Sequence, residues 1–199
     1  MKMNSKLRRF RSPGFSYAVV LVTLVALALV GVTGRANGPS FPGVSIENFG
    51  KVNDHYYRGS QPDHQQFAEL KRIGIKTVID LRKDNKAAAE GWARDSGLKY
   101  FRIPLKASTA ATEEQTAYFL SLVNDPENWP VYVHCKGGRH RTGALTAVYR
   151  ITHDGWTADQ AYREMQEFDF NNGFFGGPGA QKKFVYSFYE HFRATATAK

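Results

Sequence analysis

The stretch that decides the fold is VYVHCKGGRHRTGAL, residues 131–145. The apolar run 129–134 predicts a buried strand, the glycine-containing residues after it predict a loop, and a helix is expected from Arg141 to His153. Ligands of α/β sheets gather at the carboxyl ends of the strands, and this strand delivers Cys135 to such an end. The stretch therefore predicts a functional site at Cys135.

The loop has the features of a phosphate site. A loop that curls before a helix points successive backbone N–H groups inward, and the helix N-terminus adds positive potential. Two consecutive glycines permit the tight or left-handed backbone that this curl requires. The residues expected to hold the phosphate are Lys136, Gly137, Gly138, Arg139 and Gly143.

Three side chains of the same stretch suit nucleophilic chemistry. Cys135 is the single cysteine, which excludes intramolecular disulfides and multi-thiolate metal sites, and helix N-termini and cations lower thiol pKa values to roughly 3.5–7.5. Arg141 offers a planar fork for two phosphate oxygens. The Thr142 hydroxyl is placed to stabilise the thiolate that leaves when water cleaves a phosphocysteine. The competing interpretation is an inert buried cysteine in an ordinary strand-to-helix turn.

The stretch resembles the signature His-Cys-x5-Arg-Thr of the cysteine-dependent phosphatases, which include protein tyrosine, dual-specificity and phosphoinositide phosphatases. The positions that match are His134, Cys135, Gly138, Arg141, Thr142 and Gly143. The resemblance implies a phosphatase that hydrolyses phosphate monoesters or anhydrides through a phosphocysteine intermediate, without a metal or another cofactor.

The resemblance widens to residues 52–192. The segments YYRGSQPD, residues 56–63, and GIKTVIDLR, residues 74–82, together with a histidine before the loop arginine, look like the plant and fungal atypical dual-specificity phosphatases. That group acts on inositol pyrophosphates as well as phosphotyrosine. Lys136 and Arg139 also match two basic loop positions of the phosphatase and tensin homologue. Both parallels imply a highly anionic substrate, namely a phosphorylated protein, a phosphoinositide or an inositol polyphosphate; the loop cations equally suit a role in lowering the thiol pKa.

A general acid is missing from its usual place. Dual-specificity phosphatases carry an aspartate a few residues after a strand that ends Ile-Pro, and here Ala107 occupies that position. General acid catalysis is worth roughly 10²–10⁴ in rate. His140 stands where myotubularin-like phosphatases have an acidic residue, so it is expected to donate the proton, with substrate binding as its alternative role. Glu113 and Glu114 are further candidates, although a helix-capping role suits that pair better.

The remaining pattern predicts an α/β domain over residues 44–193, with a central, mostly parallel sheet flanked by helices and a tail at 194–199. Strand patterns at 76–81, 98–103 and 129–134 alternate with helical patterns that begin at Asp63, Asn85 and Thr112. Further helices are expected at 157–167 and 180–192, separated by a glycine-rich loop, and 52–57 suits an edge strand. Asp80 is interpreted as structural, and Arg58 and Arg82 as possible anchors behind the site.

The N-terminal region has the sequence pattern of a segment that inserts into a membrane. Residues 1–14 are basic, 15–34 are apolar and uncharged, and 35–43 have the composition of a linker. Roughly 20 apolar residues span a bilayer, so a transmembrane signal anchor is favoured over a cleaved signal peptide. The positive-inside rule places the N-terminus in the cytoplasm and the catalytic domain outside it. Cleavage would make the domain secreted or periplasmic.

Charge and composition narrow the remaining classes. Six of the nine net positive charges lie in residues 1–35, so the domain itself is only mildly basic and nucleic-acid binding is not expected. Two other functions stay open. One is a membrane-tethered phosphate-binding module without turnover. The other is a rhodanese-like sulfurtransferase, although the residues from Arg141 to Gly143 favour phosphate over sulfane sulfur as the ligand.

Overall fold

The computed structural model describes residues 41–84, 87–170 and 177–197. The predictions for residues 1–14 and 15–34, and for most of the 35–43 linker, lie outside these ranges. Within them, no helix combines the length and the apolar character that a bilayer crossing requires.

A five-stranded sheet with the order β1-β2-β5-β3-β4 forms the centre of the domain. The strands are β1 Gly50–Lys51, β2 Tyr56–Gly59, β3 Thr77–Arg82, β4 Lys99–Leu105 and β5 Val131–His134. The β1–β2 pair is antiparallel, and β2, β5, β3 and β4 run parallel to one another. The predicted fold class, an α/β domain with a mostly parallel sheet, is confirmed.

Six helices accompany the sheet within the described residues. They are α1 His64–Arg72, α2 Ala87–Asp95, α3 Glu113–Val123, α4 His140–His153, α5 Ala158–Glu167 and α6 Gly177–Thr197, with a 3₁₀ turn at Pro126–Asn128. Capping boxes begin α1, α3 and α5, at Asp63, Thr112 and Thr157. These local signals explain why the predicted helix starts agree with the structure.

Alternation along the strands buries both faces of the sheet. Val131 and Val133 of β5 pack in one core, which α3 and α4 cover with Phe119 and Leu145. Tyr132 points to the opposite core, which α1 and α2 cover. A third cluster joins α4, α5 and α6. Because both faces are covered, only the ends of the strands remain accessible to a ligand.

The final helix differs from its prediction at both ends. It includes Gly177–Gly179, which were expected in a glycine-rich loop, and it continues through the predicted tail to Thr197. Pro178 is compatible with the first turn because the N–H groups of that turn have no partner within the helix. At the other end, Thr195 and Thr197 donate hydroxyl hydrogen bonds to carbonyls one turn earlier. Residues 171–176 of the predicted loop lie outside the described ranges.

The first strands also lie at other residues than predicted. Of the expected edge strand over 52–57, residues 52–55 form a turn between β1 and β2, Tyr56 and Tyr57 begin β2, and Gly50–Lys51 form this edge of the sheet. β2 lies inside the sheet beside β5, because the backbone of Tyr56–Gly59 pairs with Val131–His134. This register brings residues 58–61 beside the loop that follows β5.

Candidate active site

Cys135 directly follows β5, the strand that lies between β2 and β3. His134 pairs with Gly59 on one side and with Asp80 on the other. The thiol is therefore surrounded by the carboxyl ends of parallel strands, and only 3% of the Cys135 surface is exposed. The position agrees with the prediction from the strand pattern.

The surroundings of Cys135 favour its ionised form. Burial alone would raise the pKa of the Cys135 thiol. The nearby Thr142 hydroxyl, the charge of Arg141 and the backbone N–H groups of Thr142 and Gly138 outweigh burial and hold the pKa below its ordinary value. Because the thiolate is the nucleophilic form, this arrangement activates Cys135. The structure thus brings together the three residues predicted to act on the phosphate.

Arg141 joins the loop to the ends of two strands. Its Nη1 donates to the carbonyl oxygens of Leu105 at 3.3 Å and Leu81 at 3.5 Å. A guanidinium carries five N–H donors, so these contacts leave others for a ligand. A cavity of about 460 Å³ opens at this side chain, lined by Lys83, Asp84, Leu105, Lys106, Ala107 and Arg141.

Gly138 is the glycine that the loop conformation requires. Its φ is +65°, and a Cβ at this position would lie 2.4 Å from the carbonyl carbon of Gly59. Any other residue would therefore combine a left-handed backbone with a steric clash against β2. The close approach fixes the loop against the strand that neighbours β5.

Two of the predicted phosphate-binding residues have other partners. The Arg139 side chain forms ion pairs with Glu47 at 3.3 Å and Asp169 at 3.5 Å. The N–H of Gly143 donates to the Arg139 carbonyl at 3.1 Å, inside α4, and its assignment to phosphate binding stays a prediction. A Cβ on Gly143 would lie 3.4 Å from the Met165 side chain, an ordinary van der Waals contact between α4 and α5. Lys136 is exposed at the rim of the loop.

The candidates for the proton donor are separated in space. His140 is the first residue of α4, and its half-buried ring meets Phe170 edge-on with 5.3 Å between ring centroids. It is not among the residues that line the cavity at Arg141. Glu113 lines a different groove, between α3 and α6, and Glu114 is exposed in the first turn of α3. The prediction for His140 is not tested by these contacts.

Asp84 is a carboxylate that sequence reasoning missed. It lines the same cavity as Arg141 and Ala107. Ala107 stands where an acid was expected, and the segment after β3 supplies the carboxylate of Asp84 to that cavity instead. Its Oδ2 is 4.0 Å from Nη1 of Arg82. One weak signal could have found it, since Asp84 lies only two residues after the end of VIDLR, residues 78–82.

Buried polar side chains of β3 and of the end of β5 lie directly behind Cys135. Asp80 accepts a 2.7 Å hydrogen bond from Nη2 of Arg82 and another of 2.7 Å from the Tyr100 hydroxyl, which agrees with the structural role expected for Asp80. Burial lowers the pKa of His134 to about 4, although the charge of Asp80 acts against it. His134 is consequently neutral at pH 7, and its Nδ1 donates to the Cys135 carbonyl at 3.1 Å.

Comparison with known proteins gives a consistent result. Residues 45–183 match the family model described as DSP-PTPase phosphatase fused to NAD+ kinase. The dual specificity protein phosphatase TpbA of Pseudomonas aeruginosa is 31% identical over 63% of this chain and 56% of its own length. The inositol diphosphatase DSP4 of Arabidopsis thaliana is 27% identical over 61% of this chain and 63% of its own length. The chain thus spans less than two thirds of these relatives.

Solved structures share the fold. The crystal structure of P. aeruginosa TpbA has a TM-score of 0.62 and 26% identity, and it covers 78% of this chain and 94% of the other. The catalytic domain of the PP-IP phosphatase SIW14 from S. cerevisiae has a TM-score of 0.62 over 76% of this chain and 94% of its own, and at 21% identity it supports the fold alone. A TpbA variant with bound phosphotyrosine is also similar, with 25% identity and a TM-score of 0.62 over 81% of this chain and 98% of the other.

Proposed function

The chain belongs to the DSP-PTPase family of dual-specificity and tyrosine-type phosphatases, and on this premise we propose that it hydrolyses phosphate esters or anhydrides with Cys135 as the nucleophile. The observation that carries the proposal is a buried thiol whose surroundings lower its pKa, at the start of a loop that leads into α4. Pure phosphate binding does not require a thiolate, so this feature favours turnover over a binding module.

The reaction has two steps. The Cys135 thiolate attacks phosphorus, an S–P bond forms, and the P–O bond to the leaving group breaks as that oxygen takes up a proton. Water then attacks the phosphocysteine, the S–P bond breaks, and inorganic phosphate and the thiolate are released. Arg141 and the loop N–H groups stabilise the charge of the transferring phosphoryl group in both steps. The Thr142 hydroxyl stabilises the departing thiolate.

The proton donor proposed here is His140, with Asp84 as the competing candidate. His140 immediately precedes Arg141 in the loop, whereas Asp84 shares the cavity with Arg141. A donor must come within hydrogen-bond reach of the leaving oxygen, and apo geometry alone does not exclude a candidate. Variants of both residues therefore decide the assignment.

A highly anionic substrate suits the charges around the site. Lys83 and Lys106 line the cavity beside Arg141, and Lys136 is exposed on the loop. Cations at the rim of the site favour a ligand with several phosphates over a ligand with one, because each additional pair of a cation and a phosphate adds electrostatic attraction. Relatives named as inositol diphosphatases and as a dual specificity protein phosphatase supply the two substrate classes to compare.

The test uses the fragment from about residue 40 onward. It should hydrolyse p-nitrophenyl phosphate, and Cys135→Ser should abolish turnover while leaving the thermal transition unchanged. Phosphotyrosine peptides, phosphoinositides and inositol pyrophosphates are then compared by kcat/KM, with the pyrophosphates expected to be preferred. A fragment that binds phosphate without turnover would instead be the binding module considered above.

The site is further proposed to face the extracytoplasmic side of a membrane, with residues 15–34 as its anchor. The support is the sequence alone, which has an uncharged apolar stretch after a basic one. In this arrangement the single cysteine cannot be lost to an internal disulfide, although it can still be oxidised.

A further inference from the structure

Three successive carbonyl groups of the loop each accept a hydrogen bond from outside it. The donors are Asn48, which precedes β1, Arg58, which lies in β2, and Gln61, which follows β2. The three bonds run from Gln61 N to Lys136 O at 3.1 Å, from Asn48 Nδ2 to Gly137 O at 3.2 Å, and from Arg58 Nη2 to Gly138 O at 3.0 Å.

These bonds determine where the loop N–H groups point. In a trans peptide unit the carbonyl and the following N–H point in opposite directions. Holding the carbonyls of residues 136–138 outward therefore directs the N–H groups of residues 137–139 toward the interior of the loop. Consecutive N–H groups that face one concavity form an anion site.

We propose that Asn48 and Arg58 are positioning residues for phosphate hydrolysis, each fixing one loop peptide so that its N–H faces the phosphoryl group at Cys135. The proposal deepens the function proposed above and rests on it. Neither side chain is assigned a contact with substrate, and both act through the loop backbone.

The environment of Arg58 fits this role better than a role in stability. Arg58 is fully buried, and its guanidinium lies 3.9 Å from the ring centre of Phe168. Within the described residues, its Nε and Nη1 have no hydrogen-bond partner. The titratable groups whose charges act on it are Glu164, Tyr56, Cys135 and Arg150. Burying a guanidinium with so few partners destabilises the folded state. The presence of Arg58 is therefore better explained by its effect on the geometry of the loop than by an effect on stability.

Asn48 extends the same support to a second segment. Its φ is +55°, in the left-handed region that asparagine tolerates better than most residues. The side-chain amide has two N–H donors, and Nδ2 lies 3.2 Å from both Gly137 O and Phe168 O. Asn48 thereby ties the loop to the end of α5, next to the ring that stacks on Arg58.

The experiment compares Arg58→Met and Asn48→Ala with two matched controls. Arg193→Met removes an arginine of α6 that also lies over an aromatic ring, at 5.6 Å from the ring centre of Tyr189. Asn128→Ala removes a buried asparagine that donates to the Leu122 carbonyl, before β5 begins. The measurements are kcat/KM for p-nitrophenyl phosphate, the concentration of inorganic phosphate that protects Cys135 from iodoacetamide, and the melting temperature.

Loss of the loop contacts should reduce catalysis more than folding. A displacement of about 1 Å in a catalytic group can cost about 100-fold in rate, so Arg58→Met and Asn48→Ala are expected to lower kcat/KM by about 10- to 100-fold. Protection should require several-fold more phosphate, and alkylation should need a higher pH. The control variants should leave kcat/KM and phosphate protection unchanged, whatever their effect on the melting temperature. Arg58→Lys keeps a donor and a charge and should recover part of the loss.

Two results would overturn the proposal. One is wild-type phosphate protection in both Arg58→Met and Asn48→Ala, and the other is an equal loss of protection in the matched controls at temperatures where all variants are folded. Phosphate protection does not need turnover. If the wild-type chain proves inactive, a weakened protection in these variants still supports the positioning role while the proposed hydrolysis fails.

Discussion

Nη1 of Arg141 lies 3.3 Å from the carbonyl oxygen of Leu105, the last residue of β4. The guanidinium is also 3.5 Å from the Leu81 carbonyl in β3, so it bridges the ends of two neighbouring strands. A planar group held at two points has little rotational freedom left. The sheet thus orients the arginine before a phosphate binds.

Arg141→Lys should therefore lower kcat by about 10-fold or more while raising KM less. A lysine ammonium cannot bridge two strand carbonyls and also bind two phosphate oxygens. Steady-state kinetics with p-nitrophenyl phosphate separate the two parameters. Arg94→Lys, on the exposed side of α2, serves as the control. An unchanged kcat in Arg141→Lys would remove the arginine from its role.

The identity of the proton donor is open to a leaving-group test. If His140 donates the proton, His140→Ala should lower hydrolysis of alkyl phosphates by about 100-fold or more, because acid catalysis contributes roughly 10²–10⁴. The loss on p-nitrophenyl phosphate should be much smaller, since its leaving group needs little protonation. Equal losses on both substrates would mark His140 as a binding residue.

Asp84→Asn provides the matched comparison for that test. It removes the acid and keeps the size of the side chain in the cavity beside Arg141. If Asp84 is the donor, the selective loss on alkyl phosphates appears in Asp84→Asn and not in His140→Ala. Selectivity in neither variant would direct attention to Glu113 and Glu114.

The stability of the domain should fall as pH decreases from 6.5 toward 4. His134 has a pKa of about 4 in the folded chain against an ordinary value of 6.5, so below 6.5 the unfolded chain binds a proton that the folded chain resists. The contribution is fully present above pH 6.5 and its loss amounts to about 3 kcal/mol by pH 4.

Urea unfolding at several pH values measures this dependence. His134→Asn should flatten the decline in the free energy of unfolding, whatever its own stability at pH 7. His64→Asn, at an exposed position at the start of α1, should leave the slope unchanged. The same slope in His134→Asn and the wild type would contradict the explanation.

The full-length chain should remain in the membrane fraction through a carbonate wash, with its catalytic domain accessible from the extracytoplasmic side. The physical reason is the uncharged apolar stretch at 15–34, which is long enough to span a bilayer. Mass spectrometry of the mature N-terminus distinguishes the alternatives. An N-terminus near Arg35 would replace the anchor by a cleaved signal peptide.

The secondary structure of the domain was predictable wherever local signals were strong. Capping boxes mark the starts of helices, and Gly74 and Gly97, which have positive φ, follow the ends of helices. These starts and ends lie within a few residues of the predicted bounds. The errors fall where such signals are weak or conflicting. The glycines in the first turn of α6 suggested a loop, and the mixed sequence before β2 concealed the two-residue edge strand.

The sequence by itself predicted the nucleophile and its immediate partners, because Cys135, Arg141 and Thr142 belong to one short strand-to-helix stretch whose spacing requires no other part of the chain. The tertiary structure decided what surrounds that loop. Asn48 reaches Gly137 across 89 positions of sequence, and Arg58 reaches Gly138 across 80. Hydrophobic periodicity records which face of an element is buried, but polar pairs depend on strand order, and only the placement of β2 beside β5 brings these donors to the loop carbonyls.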